Sequence, residues 1–483
     1  MSVFSPVYVA GVLEPSYRNW KRLYAADSVR VHKAHLVMLR ECGIVADETA
    51  RSIARGMEAM ARGFTPPASI PAGSEDLYFV YEKELERIAG AENAAWLHTA
   101  RSRNDMDSTI FRLALKRELR TFAGTLLSCC ETLESRARAG ADELTVLFTH
   151  GQPANVSTIA HYLSAFLLEL LEDAEVLLDA ISSVDRCTLG ACAITGTGFA
   201  VDRERTARLL GFRSIVPNNY QAISTSHWLV RPASALRLVL SDLTRLAADL
   251  LHKASCEVGL IEFPDELVQS SSIMPQKRNP VILEHIRIQA GLAAGTCASL
   301  EELFRNVPYQ DVNEAADAPV SDFIDSIAKA RSSVRLAAET VAKFSSNGRR
   351  VREMALSFGV TTTELADALV RDCGVGFRCA HGVCSAFARS GYDKAVLRAA
   401  FRTAAGRELP FSDATIEANL EPGHFVAVRK TAGGPAPEGM ATVWTAAGEA
   451  MARVGAALAE QDEREARSAK ELEAAWTGLA SGR

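Results

Sequence analysis

The chain reads Ser270-Ser271-Ser272-Ile273-Met274-Pro275-Gln276-Lys277-Arg278-Asn279-Pro280 between two apolar stretches with helical spacing. Serine competes with the backbone for hydrogen bonds and proline removes a backbone donor, so this segment cannot form the interior of a helix. We therefore predict an exposed loop. Such a loop can hold a carboxylate with Lys277 and Asn279 while a serine hydroxyl approaches the adjacent carbon.

A second polar segment reads Leu97-His98-Thr99-Ala100-Arg101-Ser102-Arg103-Asn104-Asp105. Its arginines offer paired donors to a carboxylate, and serine or asparagine can complete the shell around it. A third segment reads Thr149-His150-Gly151-Gln152-Pro153. A histidine can relay a proton there because its pKa is close to neutrality.

These three segments, in this order, resemble the signatures of the fumarase/aspartase superfamily, and residues 270–280 are similar to its argininosuccinate lyase branch. Shorter matches occur at Ser28 in Ala-Asp-Ser-Val, at residues 75–77, at 189–204 and at 433–437. The resemblance therefore covers essentially the whole chain. It departs from the family at Ala100, where the family has glycine, and at residues 155–156, where the family has Gln-Pro.

The resemblance implies a carbon–nitrogen lyase that removes an amine from an N-substituted aspartate and releases fumarate. It makes Ser271 the base and places His150 on the side of the general acid. An aci-carboxylate intermediate would be stabilised by positive charge and hydrogen bonds. The residues that it places around the substrate are Ser28, Ser102, Arg103, Asn104, Thr149, Ser272, Met274, Lys277 and Asn279.

The segment expected to hold the amine half departs from the family. Argininosuccinate lyases carry a Tyr-Asn-x-Asp-Leu-Gln-Glu-Asp-Lys run, in which the tyrosine, glutamine and lysine hold the arginine half. Here Tyr309 is kept, but Glu314 stands for the glutamine and Asp317 for the lysine. Two acidic groups repel an amino-acid carboxylate, so we predict an amine other than arginine. Further departures are Tyr78 for a histidine, Val281 for an aspartate, and Ser224-Thr225-Ser226-His227 for Ser-Asp-Arg-Asp.

The chain is predicted to be all-α, with apolar residues at helical spacing in residues 116–138, 158–184, 234–258 and 281–304. We divide it into an N-terminal helical domain (1–105), a central long-helix bundle (106–350) and a C-terminal helical cap (351–483). Residues 460–473 are interpreted as an exposed charged helix. By resemblance, the central bundle joins those of other subunits in the twenty-helix core of a homotetramer, whose active sites are shared between subunits.

Composition narrows the class of protein. Charged residues make up 23% of the chain, hydrophobic residues 48%, and the formal net charge is −6, which argues against a nucleic-acid partner. The apolar stretches carry a charged or polar residue every few positions, so we interpret them as bundle helices and expect no membrane association. The ten cysteines form no C-x-x-C pair, which favours free thiols in a cytoplasmic protein. Neither a metal nor an organic cofactor is expected.

Two alternatives remain open at this point. One is authentic argininosuccinate lyase or another superfamily activity such as adenylosuccinate cleavage. The other is a non-catalytic structural protein on the same scaffold, as the lens crystallins of this family illustrate. The presence of Ser271, Lys277, Asn279 and His150 argues against the second. The sequence does not identify the amine or the physiological direction of the reaction.

Overall fold

Helices dominate the structure, a computed structural model that describes residues 4–481. The helices before residue 100 are α1 (Pro6–Tyr8), α2 (Glu14–Asn19), α3 (Ala25–Glu41), α4 (Asp47–Gly63), α5 (Leu77–Ala89) and α6 (Ala91–Ala95). Two π-helical turns, Val9–Leu13 and Trp20–Tyr24, join α1, α2 and α3 into a nearly continuous helix. A 3-10 turn, Trp96–His98, follows α6.

The centre of the structure is a bundle of long helices. The helices of this region are α7 (Arg103–Ala139), α8 (Ile159–Val184), α9 (Arg203–Leu209), α10 (Asn219–Ser224), α11 (His227–Ala254), α12 (Val281–Leu303) and α13 (Asp317–Lys343). The 3-10 turns Asp265–Leu267 and Asn313–Ala315 lie between them. Helix α7 packs on α8 and α13, and α11 packs on α8 and α12. The prediction of an all-α fold is confirmed, and α7 begins thirteen residues before the segment expected from its periodicity.

The remaining helices are α14 (Gly348–Ser357), α15 (Thr362–Cys373), α16 (Phe377–Arg389), α17 (Lys394–Ala405), α18 (Asp413–Leu420), α19 (Pro422–Ala427) and α20 (Pro437–Ser481). Buried side chains between residues 365 and 416 form a small core of their own. Helix α20 behaves differently, because its apolar residues belong to the main core together with those of the N-terminal and central regions.

Helix α20 is anchored by buried polar contacts as well as by packing. Lys116 lies between Asp185, at 3.1 Å, and Glu465 of α20, at 2.5 Å. The indole N–H of Trp476 donates to Glu58 of α4 at 2.9 Å. The charged tail that we expected to be an exposed helix therefore has one face buried. Because Lys116 and Asp185 are buried, loss of one partner would cost about 3–5 kcal/mol.

Short strands form four two-stranded sheets. The strands are β1 (Leu144–Thr149), β2 (Gln152–Thr158), β3 (Arg186–Cys187), β4 (Ser214–Ile215), β5 (Ile261–Glu262), β6 (Gln269–Ser270), β7 (Arg278–Asn279) and β8 (Ser345–Ser346). Strands β1 and β2 form an antiparallel hairpin, and β6 and β7 pair across the Ser271 loop. The β1–β2 hairpin was not predicted from the sequence.

The two most apolar stretches lie within bundle helices. Residues 159–178 belong to α8 and residues 236–251 to α11, and both helices bury an apolar face against the main core. In the part of the chain that the structure covers, residues 4–481, no helix combines the length and the hydropathy that a bilayer crossing requires.

Candidate functional site

The second polar segment forms the N-terminus of α7, where a capping box fixes its conformation. The Ser102 hydroxyl accepts from the backbone of α7, and Asp105 accepts from the backbone N–H of Ser102 at 2.8 Å. Asp105 also accepts from the N–H groups of Gly190 and Cys192, at 2.7 and 2.9 Å. The loop after β3 is thereby tied to the turn that carries Ser102, Arg103 and Asn104. Burial raises the pKa of the Asp105 carboxyl, and these N–H donors offset part of that effect.

Arg103 is paired with carboxylates of its own chain. Its guanidinium lies 2.6 Å from Asp76 and 2.8 Å from Asp107, and it faces the ring of Tyr78 with 4.7 Å between the guanidinium carbon and the ring centre. Burial acts to lower the pKa of Arg103, but Asp107 and Asp76 together raise it above its usual value. Burial raises the pKa of Asp107 to about 6 despite the arginine. The positive charge of Arg103, which we expected to pair with a substrate carboxylate, is thus already paired with two carboxylates of the protein.

Arg101 and His32 form a buried pair that the sequence analysis did not single out. Arg101 Nη1 donates to His32 Nδ1 at 2.9 Å, and Nε and Nη2 of Arg101 are buried without a hydrogen-bond partner. Arginine cannot accept a hydrogen bond, so Nδ1 of His32 is unprotonated and Nε2 carries the proton. Burial and the charge of Arg101 lower the pKa of His32 well below its usual value.

This tautomer decides what Ser28 can do. His32 Nε2 lies 3.3 Å from the Ser28 hydroxyl oxygen and donates to it, so the Ser28 hydroxyl hydrogen is free for a ligand. A serine in this state donates, which suits a carboxylate or carbonyl oxygen. The signal in the sequence was the spacing of Ser28 and His32, which lie one turn apart on the same face of α3.

Tyr78 stands at the centre of the same region. Its hydroxyl donates to Glu82 at 2.7 Å and lies 2.9 Å from Nδ1 of His98. Burial raises the pKa of Tyr78, so the phenol stays protonated at neutral pH. Tyr78, which replaces the histidine of the family, thus contacts Arg103 with its ring and also lines a cavity.

The cavity lies between α3, α4 and α5 and has a volume of about 250 Å³. Ser28, His32 and Tyr78 form part of its wall. Most of the remaining lining is apolar, with Met57, Met60 and Phe64 among its members.

The segment with the acidic replacements begins α13 and approaches this region. Asp317 is buried, and the structure places it near Ser16, Asn19 and Asp76. Burial raises the pKa of its carboxyl. Glu314 is half-buried in the preceding 3-10 turn. Tyr309 is exposed, and its ring meets that of Tyr220 edge-on at 5.3 Å.

The third polar segment is the turn of the β1–β2 hairpin. Thr149 pairs with Gln152 across the turn, and His150 and Gly151 both adopt positive φ angles, of 51° and 74°. Histidine tolerates a positive φ more readily than β-branched residues do, and glycine tolerates it freely. His150 and Gly151 are therefore residue types that can form this turn. Thr149 and His150 are exposed, and the base of the hairpin packs on α14.

The Ser271 loop is exposed, as predicted. The Ser271 hydroxyl oxygen accepts from the backbone N–H groups of Ile273 and Met274, at 3.3 and 3.0 Å. Such donors stabilise negative charge on the oxygen that they face. Asn279 donates to the carbonyl of Gln269 at 3.1 Å and thereby closes the base of the loop.

The other side chains of the loop point outward. Ser272, Met274 and Lys277 are exposed, and Ile273 at its tip is 84% exposed.

The three polar segments do not meet within one chain. Among residues 4–481, no hydrogen bond or ion pair joins the Ser102–Asn104 turn, the His150 turn and the Ser271 loop. Ser28 lines the cavity, Arg103 contacts its wall through Tyr78, and Asp317 lies near Asp76, the partner of Arg103. The other two segments form separate exposed turns.

A comparison with family models matches residues 16–295 to the family described as "Lyase". Among curated proteins, "Argininosuccinate lyase 2" of Agrobacterium fabrum is 37% identical over 99% of this chain and 97% of its own length. "Argininosuccinate lyase" of Methanosarcina acetivorans is 32% identical over 86% of this chain and 85% of its own length.

Solved structures agree with these matches. An EDDS lyase in complex with formate superimposes with a TM-score of 0.84 and 26% identity, and it covers 100% of this chain and 97% of its own. A variant of EDDS lyase with bound fumarate gives a TM-score of 0.83 at 26% identity, with the same coverage. A class II fumarase from Schistosoma mansoni, at 14% identity and a TM-score of 0.67 over 83% of this chain and 90% of its own, shares the fold.

Proposed function

Because this chain belongs to the lyase family, as an argininosuccinate lyase-like carbon–nitrogen lyase of the fumarase/aspartase superfamily, we propose that it reversibly eliminates an amine from an N-substituted aspartate and releases fumarate. The observation that carries the proposal is the Ser271 hydroxyl, whose oxygen accepts from two backbone N–H groups in an exposed loop beside Lys277. The fumarate found in the EDDS lyase variant supports fumarate as the product.

In the proposed reaction, Ser271 as an alkoxide takes the proton from the carbon beside the distal carboxylate. The negative charge moves onto that carboxylate as an aci-carboxylate, which Lys277 and Asn279 stabilise together with Ser272 and Met274 of the same loop. The carbon–nitrogen bond then breaks, the electron pair leaves with nitrogen, and a proton supplied from the side of His150 and Thr149 neutralises the amine. No metal or organic cofactor takes part, because the substrate carboxylate stores the charge.

The cluster at the start of α7 would hold the other end of the substrate. Ser28 has a hydroxyl hydrogen free to donate, and Arg101 has two buried donor atoms without a partner. A substrate carboxylate would satisfy both, since an unpaired buried donor costs about 1–3 kcal/mol. Ser102 and Asn104 would complete the shell. Arg103, held by Asp76 and Asp107, would act as a positioning residue for this turn.

The amine specificity is proposed to differ from that of argininosuccinate lyase. Asp317 is buried near Asp76, and Glu314 and Tyr309 lie in the turns just before it. An acidic environment of this kind repels the amino-acid carboxylate of arginine and tolerates a neutral or cationic amine.

We further propose a homotetramer in which each site takes the Ser102–Asn104 turn, the His150 turn and the Ser271 loop from three subunits. In support, large apolar side chains are exposed on the long helices, among them Leu238 of α11 and Ile288 and Leu292 of α12, at 48%, 49% and 54%. Exposed apolar residues on bundle helices indicate helix packing against further copies.

The experiment that tests the reaction uses the addition direction. Purified protein is incubated with fumarate and each of a panel of amines, and the loss of fumarate absorbance and the mass of the N-substituted aspartate are measured. We expect adduct formation with at least one amine, and none in Ser271→Ala at equal concentration. The proposal fails if no amine in a broad panel forms an adduct while the protein is folded.

A further inference from the structure

We propose that the cavity between α3, α4 and α5 binds the apolar part of the amine leaving group, so that the substrate is an N-substituted aspartate with an alkyl or aromatic amine. This inference rests on the proposed function and adds the chemical class of the amine. The cavity measures about 250 Å³, somewhat less than the roughly 300–1,000 Å³ typical of ligand pockets. It is therefore large enough for one portion of a small substrate.

The position of the cavity connects it to the substrate cluster. Ser28 and His32 line it from α3, and His32 is bonded to Arg101. Tyr78 lines it from α5 and faces Arg103 with its ring. A substrate held by Ser28 and Arg101 through a carboxylate would therefore have its neighbouring groups at the mouth of this cavity.

The lining sets the chemistry of the occupant. Met57, Met60, Phe64 and Leu85 offer only apolar surface, which cannot replace the hydration of a charged end group. Methionine side chains adapt to irregular shapes, which suits an alkyl chain or an aromatic ring. The cavity therefore disfavours the amino-acid carboxylate of arginine, because its apolar wall cannot replace hydration and its one carboxylate, Glu82, repels a second.

Several polar atoms in the wall are already hydrogen-bonded to one another. The Tyr78 hydroxyl is committed to Glu82 and His98, and both ring nitrogens of His32 are engaged with Ser28 and Arg101. Glu82 and Tyr81 also line the cavity, and the Glu82 carboxylate accepts from the Tyr78 hydroxyl. Ser28 keeps a hydroxyl hydrogen for a ligand, and most of the remaining wall is apolar. This arrangement fits a group that is polar where it joins the aspartate and apolar at its far end.

The test compares amines in the addition reaction with fumarate. The probes are methylamine, which cannot reach into the cavity, and benzylamine and hexylamine, which can. We expect KM for benzylamine and hexylamine to be at least about tenfold lower than for methylamine, since about 1.4 kcal/mol of apolar burial gives a factor of ten.

Variants of the lining locate the effect. Met60→Trp should fill the cavity and raise KM for benzylamine and hexylamine by about tenfold or more, with little change for methylamine. Val29→Trp should have the same effect, because Val29 also lines the cavity and, at 38% exposure, a larger residue there does not disturb a packed core. Met451→Trp, on a partly buried methionine outside the cavity, is the matched control and should change none of the three values.

The outcomes separate the two proposals. If methylamine and benzylamine both add to fumarate with equal KM, and neither Met60→Trp nor Val29→Trp changes that equality, the cavity inference is wrong and the lyase reaction stands. If no amine adds, including methylamine, the proposed function itself is wrong, and the inference falls with it. Loss of discrimination in the filled variants, together with unchanged discrimination in Met451→Trp, supports the inference.

Discussion

Arg101 donates to Nδ1 of His32 across 2.9 Å, in a part of the structure where both side chains are buried. Protonation of His32 at this nitrogen would break the bond and place two cations in contact. The imidazole is therefore held neutral, and its proton on Nε2 orients the Ser28 hydroxyl.

This pair predicts an acid-sensitive stability. The pKa of His32 is lowered by burial and by Arg101 from a usual value of 6.5, so the folded state binds fewer protons than the unfolded state at mildly acidic pH. The contribution of neutral His32 to the free energy of unfolding is complete above about pH 6.5. It is lost as the pH falls below that value, by up to about 1.4 kcal/mol for each pH unit. In His32→Gln, the free energy of unfolding measured by denaturant titration between pH 7 and 5 should fall less steeply than in the unchanged protein.

The exposed His381 on α16 provides the matched control. His381→Gln should leave the pH dependence of unfolding as it is in the unchanged protein. Equal slopes for His32→Gln and the unchanged protein would show that His32 accepts a proton in the folded state as readily as in the unfolded one.

The role of Ser271 predicts a specific loss of turnover. Removal of the proposed base in Ser271→Ala should lower kcat by about 10²–10⁴-fold or more, with unchanged helical content and assembly. Ser272→Ala should act mainly on KM. Ser270→Ala, in the adjacent exposed position, is the control and should keep near-normal kcat. Near-normal turnover in Ser271→Ala would remove this residue from the role of base.

The separation of the three polar segments predicts complementation between inactive variants. Ser271→Ala and His150→Asn carry their defects in different segments. A site that takes its His150 turn from a Ser271→Ala subunit and its Ser271 loop from a His150→Asn subunit therefore has both segments intact. Random mixing gives about one quarter of such sites, and the mixture should recover activity on that scale. Native mass spectrometry of the mixture checks that subunits have exchanged. No recovery in demonstrated hybrids would mean that each site lies within one chain.

The acidic residues before and at the start of α13 predict the response to argininosuccinate. We expect little or no cleavage by the unchanged protein, and a partial gain in the double variant Glu314→Gln, Asp317→Lys. Each misplaced charge is worth about 1–3 kcal/mol, or roughly ten- to a hundredfold in kcat/KM. Asp311→Lys adds the same charge at an exposed position of the same segment and should produce no gain. Efficient argininosuccinate cleavage by the unchanged protein would contradict the proposed specificity.

The fold was predictable where local patterns determine it. Apolar residues at helical spacing identified α7, α8, α11 and α12, because each helix buries a stripe against its neighbours. The β1–β2 hairpin was missed, although the run Leu144–Thr149 is rich in residues that favour strands. The turn at His150 and Gly151 needs two consecutive positive φ angles, and His-Gly is not among the residue pairs that typically mark such a turn.

The site was predictable only in part, because several of its partners are distant in the sequence. The loop character and exposure of Ser271 followed from its neighbours. The pairing of Arg103 with Asp76 and the pairing of Arg101 with His32 depend on packing between α3, α5 and α7, which no local pattern encodes. The assignment of the remaining roles around the substrate stays a prediction.

Helix α20 also bears on how the chain is made. Its last turns, with Trp476 against Glu58, complete a core that also includes residues of α3 and α4. During synthesis the ribosome releases these residues more than four hundred positions later than their partners. The apolar face that α3 and α4 turn toward α20 therefore stays uncovered in the nascent chain until α20 has emerged.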